Sequence, residues 1–191
     1  MVKELREKTN VGMMDCKKAL QDAGGDMEKA VDLLRQKGLA KAMKRAGREA
    51  TEGVIQSYIH SGSRIGVLLE VNCETDFAAK SADFLEFAKN VAMHIAAANP
   101  LGIQEEDIPQ DVIERERAIY MAQAAESGKP ANILEKMVEG KMRKFFEDTL
   151  LLQQKYVKDP EKTVHDYLNE LTAAIGEKIQ IRRFVRYQLG E

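Results

Sequence analysis

Apolar residues recur along this chain first at helical spacing, then at strand spacing, then at helical spacing again. Val2 and Leu5 open a short helix that the turn-forming run Thr9-Asn10-Val11-Gly12 stops. Met13, Leu20 and Ala23, with Cys16 between, trace the apolar side of a second helix ending at Gly24-Gly25. Asp26 is a natural N-cap for a third helix, which bears Met27, Val31 and Leu34 and which Gly38 terminates. Residues 1–38 therefore predict a compact three-helix bundle. Residues 39–52 predict a charged connector, helical in part because Ala, Lys and Met dominate it.

The period then changes. Residues 54–60 and 64–72 read as two strands joined by Ser61-Gly62-Ser63, a turn of hairpin length. In the second, Ile65, Val67, Leu69 and Val71 alternate with Arg64, Gly66, Leu68 and Glu70. Phe84, Phe87, Val91 and Ile95 predict an amphipathic helix over 83–98 that ends before Pro100. Pro109, Asp111 and Glu114 announce a largely solvated helix containing Glu114-Arg115-Glu116-Arg117, and Gly128-Lys129-Pro130 breaks it. Leu134, Met137, Val138, Met142 and Phe145 mark the next helix. After Asp159-Pro160, Thr163 and Asp166 cap a last helix holding Val164, Tyr167, Leu168, Leu171 and Ile175. Residues 179–189 predict a third strand with Ile179, Ile181, Val185 and Tyr187 on one face. The fold class is α+β: the amino-terminal three-helix bundle, then a core over 53–191 in which a small three-stranded antiparallel sheet packs with helices.

One junction stands apart. The second strand runs straight into Cys73-Glu74-Thr75-Asp76-Phe77, so that a carboxylate and a large apolar ring sit at a strand-to-helix corner. Such a corner is a rigid mount for side chains that reach into something else. On position alone Asp76 could instead cap the coming helix and Phe77 staple back onto the sheet. No nucleophile, metal cluster or phosphate-binding loop accompanies the pair. His60, His94 and His165 are too scattered for a metal site or a catalytic base. His94, beside apolar residues on a helix, reads as structural, and His60 stands at the hairpin tip. Met13 and Met14 are adjacent, so they cannot both face one core, and flexible Met suits an adaptable binding surface.

Composition narrows the classes. Hydrophobic residues make up 44% and charged residues 31% of the 191, as in ordinary globular proteins. No run approaches the roughly 18 apolar residues of a bilayer span, and the opening Met-Val-Lys-Glu-Leu-Arg-Glu lacks the apolar stretch of a secretory signal. Cys16 and Cys73 lie inside apolar patterns, the usage of buried thiols in a reducing compartment, and the cytoplasm is the expected location. A net charge of −2 argues against a protein that coats nucleic acid. The charge is nevertheless uneven: residues 1–50 hold twelve Lys/Arg against eight Asp/Glu, and Lys41, Lys44, Arg45 and Arg48 concentrate the excess. This run reads as a solvated face or as a docking surface for an acidic partner.

Three motifs carry a family resemblance: Val2-Lys3-Glu4-Leu5-Arg6, Gly12-Met13-Met14-Asp15-Cys16-Lys17-Lys18-Ala19-Leu20, and Glu70-Val71-Asn72-Cys73-Glu74-Thr75-Asp76-Phe77. With Met137-Val138-Glu139-Gly140-Lys141-Met142 they closely resemble bacterial-type translation elongation factor Ts over nearly the whole chain. The chain looks like the short form, in which the duplicated core of longer members is single. The resemblance implies a guanine-nucleotide exchange factor that is not an enzyme and needs no cofactor or metal. Its partner would be elongation factor Tu, GDP-bound and nucleotide-free, with neither membrane nor direct nucleic-acid contact. The bundle would be similar to a ubiquitin-associated (UBA-like) module. Thr75, Asp76, Phe77 and Ala78 match the tip that enters the partner's nucleotide-binding domain and disturbs the Mg²⁺ and phosphate site, although the family usually has Val where Ala78 stands. Arg6, Met13 and Met14 would dock the bundle on that domain, and His60 matches an interface position. A single core copy also implies a homodimer joined through the sheet on the face of Ile179, Ile181, Val185 and Tyr187; the alternative is a monomer in which helices cover one face and Arg182, Arg183 and Arg186 keep the other polar. The competing function is a UBA-like protein- or nucleic-acid-binding module fused to an α+β domain, in which the bundle alone would carry recognition.

Overall fold

The computed structural model describes the chain except residues 10, 46 and 127–129 and the side chains of 39–45. The turn expected at Asn10, the break at Gly128-Lys129 and the side chains of the basic run Lys41, Lys44 and Arg45 lie outside the described residues. The chain divides into two compact units, one comprising Met1–Ala96 with His165–Glu191 and the other Ala97–Val164. No helix among the described residues is long and apolar enough to cross a membrane.

The first unit opens with α1 (Val2–Thr9), α2 (Met13–Asp22) and α3 (Met27–Arg45). Leu5, Cys16, Ala19, Leu20, Ala30 and Leu34 form their common core. Asp26 caps α3 as its type predicts, its carboxylate accepting the Lys29 amide at 3.1 Å. Gly38 does not terminate α3, which continues to Arg45. It serves a close approach instead: a Cβ there would stand 3.3 Å from that of Ala173 on α8 (Val164–Ile175). One turn earlier Arg35 pairs with Asp166 of the same helix. A glycine that spaces two helices and one that ends a helix look alike in sequence.

The sheet is antiparallel in the order β1 (Glu52–Ile59), β2 (Ile65–Cys73), β5 (Gln180–Gln188). Val67, Leu69, Val71 and Cys73 of β2 are buried. β1 places Val54, Gln56 and Tyr58 beside the first three of these, and β5 places Ile181, Phe184 and Arg186 there. Gly53 pairs with Asn72 at a φ of 148°, where an added Cβ would lie 2.1 Å from the Val71 carbonyl oxygen. The strands therefore meet beside the corner at a point only glycine fits. Below the sheet α4 (Asp76–Ala79) is one turn, and α5 (Ala82–Ala98) buries Phe84, Phe87, Val91 and Ile95 as its spacing predicts. His94 is fully buried on α5, in the structural role expected of it.

The expected face of β5 is corrected. Glu70 pairs with Arg183 but Val71 with Ile181, so Arg182 is an extra residue in a β-bulge. The bulge shifts the alternation by one. Ile179 and Ile181 are buried, whereas Val185 and Tyr187 emerge on the opposite face with Ile55, Ile59 and Leu68. Consecutive Arg182 and Arg183 ahead of Phe184 are the sequence signal of the phase change.

In the second unit α6 (Gln110–Ala125) packs on α7 (Ala131–Thr149) around Ala124, Val138 and Met142. The expected cap from Asp111 and Glu114 does not form; Pro109 stands at the N-cap without a side-chain bond. The capping box belongs instead to Gln104 and Asp107 in the preceding 3₁₀ turn. A short ribbon, β3 (Lys155–Tyr156) with β4 (Asp159–Thr163), follows. Its polar, proline-containing sequence has no alternation that would reveal a strand.

Candidate functional site

The corner after β2 separates its residues by direction. Ala78 and Ala79 are buried, at 3% and 5% exposure, while Phe77 is 84% exposed and Asp76 stands in solvent. Phe77 is thus no staple to the sheet. The N-cap is Thr75, not Asp76: Thr75 has extended backbone (φ −129°, ψ 152°) and its hydroxyl accepts the Ala78 amide at 3.2 Å. Asp76 pairs with Lys80 at 2.7 Å, one turn on. That hydrogen bond, reinforced by the lysine's charge, holds the Asp76 carboxyl below its ordinary range, and the same contact raises Lys80. The tip therefore presents a carboxylate and a bare ring side by side. Ala78 belongs to the underside of this turn, so a small residue there changes how the turn seats on its own core before it changes any outward contact.

Two further segments brace the corner. In the link between α8 and β5, the Glu177 carboxylate accepts the Thr75 amide at 3.0 Å and the Thr75 hydroxyl at 2.8 Å. In return Glu74 accepts the Lys178 amide, and Arg48 donates to both Glu74 oxygens at 3.1 and 3.3 Å. The Lys178 ammonium closes the ring on the Arg48 carbonyl at 2.8 Å. Behind them the Cys73 thiol donates to the Thr75 carbonyl at 3.1 Å. Burial, with the Glu177 charge second, pushes this thiol up, so it is an inert packing group. Glu177 and Lys178 escaped sequence reading. They lie about a hundred residues from Thr75, and no local spacing signals a contact across that separation.

The other predicted residues form separate places. Arg6 is exposed on α1. Met13 and Met14 are 51% and 77% exposed at the first turn of α2. Met13 shares the helical phase of Cys16 and Leu20 but is not part of the core, because the buried stripe runs out at the helix start. His60 lies at the far end of the hairpin from the tip. The β1–β2 pairing runs from Glu52↔Cys73 beside the corner to Ile59↔Gly66 beside the turn, seven residue steps or about 20–25 Å. There His60 receives or donates a hydrogen bond with the Tyr58 hydroxyl at 3.1 Å. It is not brought to Asp76 and Phe77. Among the described residues no group of three or more His, Cys, Asp or Glu side chains is placed to hold a metal ion.

Chemically this arrangement exposes an apolar ring beside a charged carboxylate on a braced corner. An exposed aromatic beside a carboxylate on such a mount has the chemistry of an interface anchor. Comparison with known proteins places the chain in a family. Residues 16–191 match the model of the family described as Elongation factor TS. The chain is 80% identical over 190 residues to the protein named Elongation factor Ts of Syntrophobacter fumaroxidans, covering all of this chain and 95% of the relative. It is 62% identical over 191 residues to the proteins of that name from Desulfosudis oleivorans and Carboxydothermus hydrogenoformans, of which it covers 96% and 88%.

Proposed function

We propose, because this chain belongs to the elongation factor Ts family, that within translation elongation it binds elongation factor Tu carrying GDP and promotes release of the nucleotide. The observation that carries this reading is Phe77, a ring left 84% exposed on a corner whose neighbouring Ala78 and Ala79 are buried. The role is that of a binding protein in the cytoplasm rather than an enzyme. A guanine nucleotide held by backbone amides, a lysine and Mg²⁺ leaves slowly, because several charge-assisted contacts break together. An exchange factor binds the nucleotide-free state more tightly than the loaded one; a difference of about 5.5 kcal/mol turns a 1:99 population into 99:1. Phe77 supplies differential contact as a wedge beside the phosphate loop. Asp76, already charged at neutral pH, disfavours the Mg²⁺-bound arrangement. The coupling is reciprocal, so added nucleotide expels the factor. Residues 1–38 act as the docking module, with Arg6, Met13 and Met14 against the partner; His60, at the opposite end of the hairpin, makes a separate contact.

The direct test is release of labelled GDP from purified elongation factor Tu with and without the chain. Release no faster with the chain than without would end the reading. Asp76→Ala is expected to slow release, with a deficit that grows as Mg²⁺ concentration rises. A deficit that ignores Mg²⁺ would reduce Asp76 to a docking contact.

The same reading includes a homodimer. The bulge at Arg182 collects Ile55, Ile59, Leu68, Val185 and Tyr187, all exposed, on the outer face of the sheet around the Glu70–Arg183 ion pair. A second copy of that face covers it isologously. Light scattering across a concentration series is expected to show twice the mass of one chain, and Leu68→Glu to return it to one. A single-chain mass for the parent at tens of micromolar would rule the stable dimer out.

A further inference from the structure

We infer that Glu177 is a positioning residue for exchange: through Thr75 it sets the angle at which Phe77 and Asp76 are presented. The inference rests on the exchange reading above.

The turn that carries the ring is four residues long, far below the length at which a helix holds itself. Its direction therefore depends on what grips its N-cap residue. Thr75 is gripped at every hydrogen-bonding group. Its amide and hydroxyl both donate to Glu177, and its carbonyl accepts from Cys73 and from the Ala79 amide that closes the turn. The hydroxyl also works in two directions, donating to the carboxylate at 2.8 Å while accepting the Ala78 amide at 3.2 Å. A charged acceptor on a hydroxyl's proton strengthens its oxygen as an acceptor. One carboxylate thus fixes the rotamer of the cap, and the cap fixes the turn. Without Glu177 the Thr75 side chain is free to rotate, the Ala78 amide loses its partner, and a ring two residues into the turn swings. A reacting or inserting group displaced by about 1 Å can lose on the order of a hundredfold in rate. The reciprocal bonds from Glu74 to Lys178 and Arg48 hold Glu177's own segment against the corner, so the grip is two-sided.

The test separates presentation from docking. GDP release is measured at increasing factor concentration for the parent chain, Glu177→Ala, Glu177→Gln, Thr75→Ala and the double Thr75→Ala/Glu177→Ala. Glu177→Ala is expected to lower the maximal release rate about tenfold, the worth of a charge-assisted hydrogen bond, and to change the half-saturating concentration less than about twofold. Glu177→Gln keeps one acceptor oxygen for the two Thr75 donors and no charge, and is expected to recover only part of the rate. The double variant should be no slower than either single one, because both break the same chain of bonds. An unchanged maximal rate in Glu177→Ala overturns the inference. So does a raised half-saturating concentration at an unchanged maximal rate, which would make Glu177 a docking contact. A parent chain that does not speed GDP release from elongation factor Tu overturns the exchange reading itself, and the part of Glu177 in exchange with it, without reference to any variant.

Discussion

Replacing Phe77 by Ala is expected to cut GDP release from elongation factor Tu roughly thirtyfold or more, the effect of losing an interface hot spot worth about 2 kcal/mol. The ring is 84% exposed, so the free chain has little packing to lose. Folding stability should stay within about 0.5 kcal/mol of the parent, as for other exposed positions without a special contact. Urea denaturation and GDP release, measured on the same preparation, check both halves. A folded variant with full exchange activity would remove Phe77 from the mechanism. A large loss of stability would mean that the ring packs on its own chain.

Ten residues on, the opposite result is expected from the same substitution. Phe87 is fully buried on α5, its ring 4.8 Å from that of Tyr167 on α8, and Asn90 donates to the Tyr167 hydroxyl at 3.1 Å. Phe87→Ala leaves a cavity between the two helices and should cost about 3–5 kcal/mol of stability. GDP release per folded molecule should be unchanged, because the hydrogen bonds that brace the corner come from Arg48, Glu177 and Lys178 and not from α5. Thermal or urea unfolding reads the first effect. A loss below about 1 kcal/mol would mean that the site collapses to fill the gap.

The two phenylalanines show where legibility in the sequence ends. Phe87 sits in a run with Phe84, Val91 and Ile95 that is unambiguously helical, and its burial follows from that period alone. Phe77 belongs to no period. Its sequence allowed both a staple and a protruding wedge, and only the direction of the turn after Thr75 separates the two. The same holds for Asp76, which lost the capping role to its neighbour because Thr75 keeps extended backbone at the strand end.

Local patterning by itself determined the α+β class, the order of the main helices and the three strands of the sheet. Each of these is a one-dimensional consequence of where apolar side chains recur, so the chain carries them without reference to distant residues. The family motifs were likewise local. What depends on residues far apart was decided by tertiary structure alone. Gly38 became a spacer instead of a helix end because Ala173 lies against it, and Met13 left the core because its stripe ran out at the helix start. The bulge at Arg182 turned Val185 and Tyr187 outward, since one extra residue against Glu70 and Val71 reverses every later side chain of a strand. Most consequential is the grip of Glu177 on Thr75. It joins positions 102 apart, and only the pairing of β5 with β2 brings the link after α8 to the corner after β2.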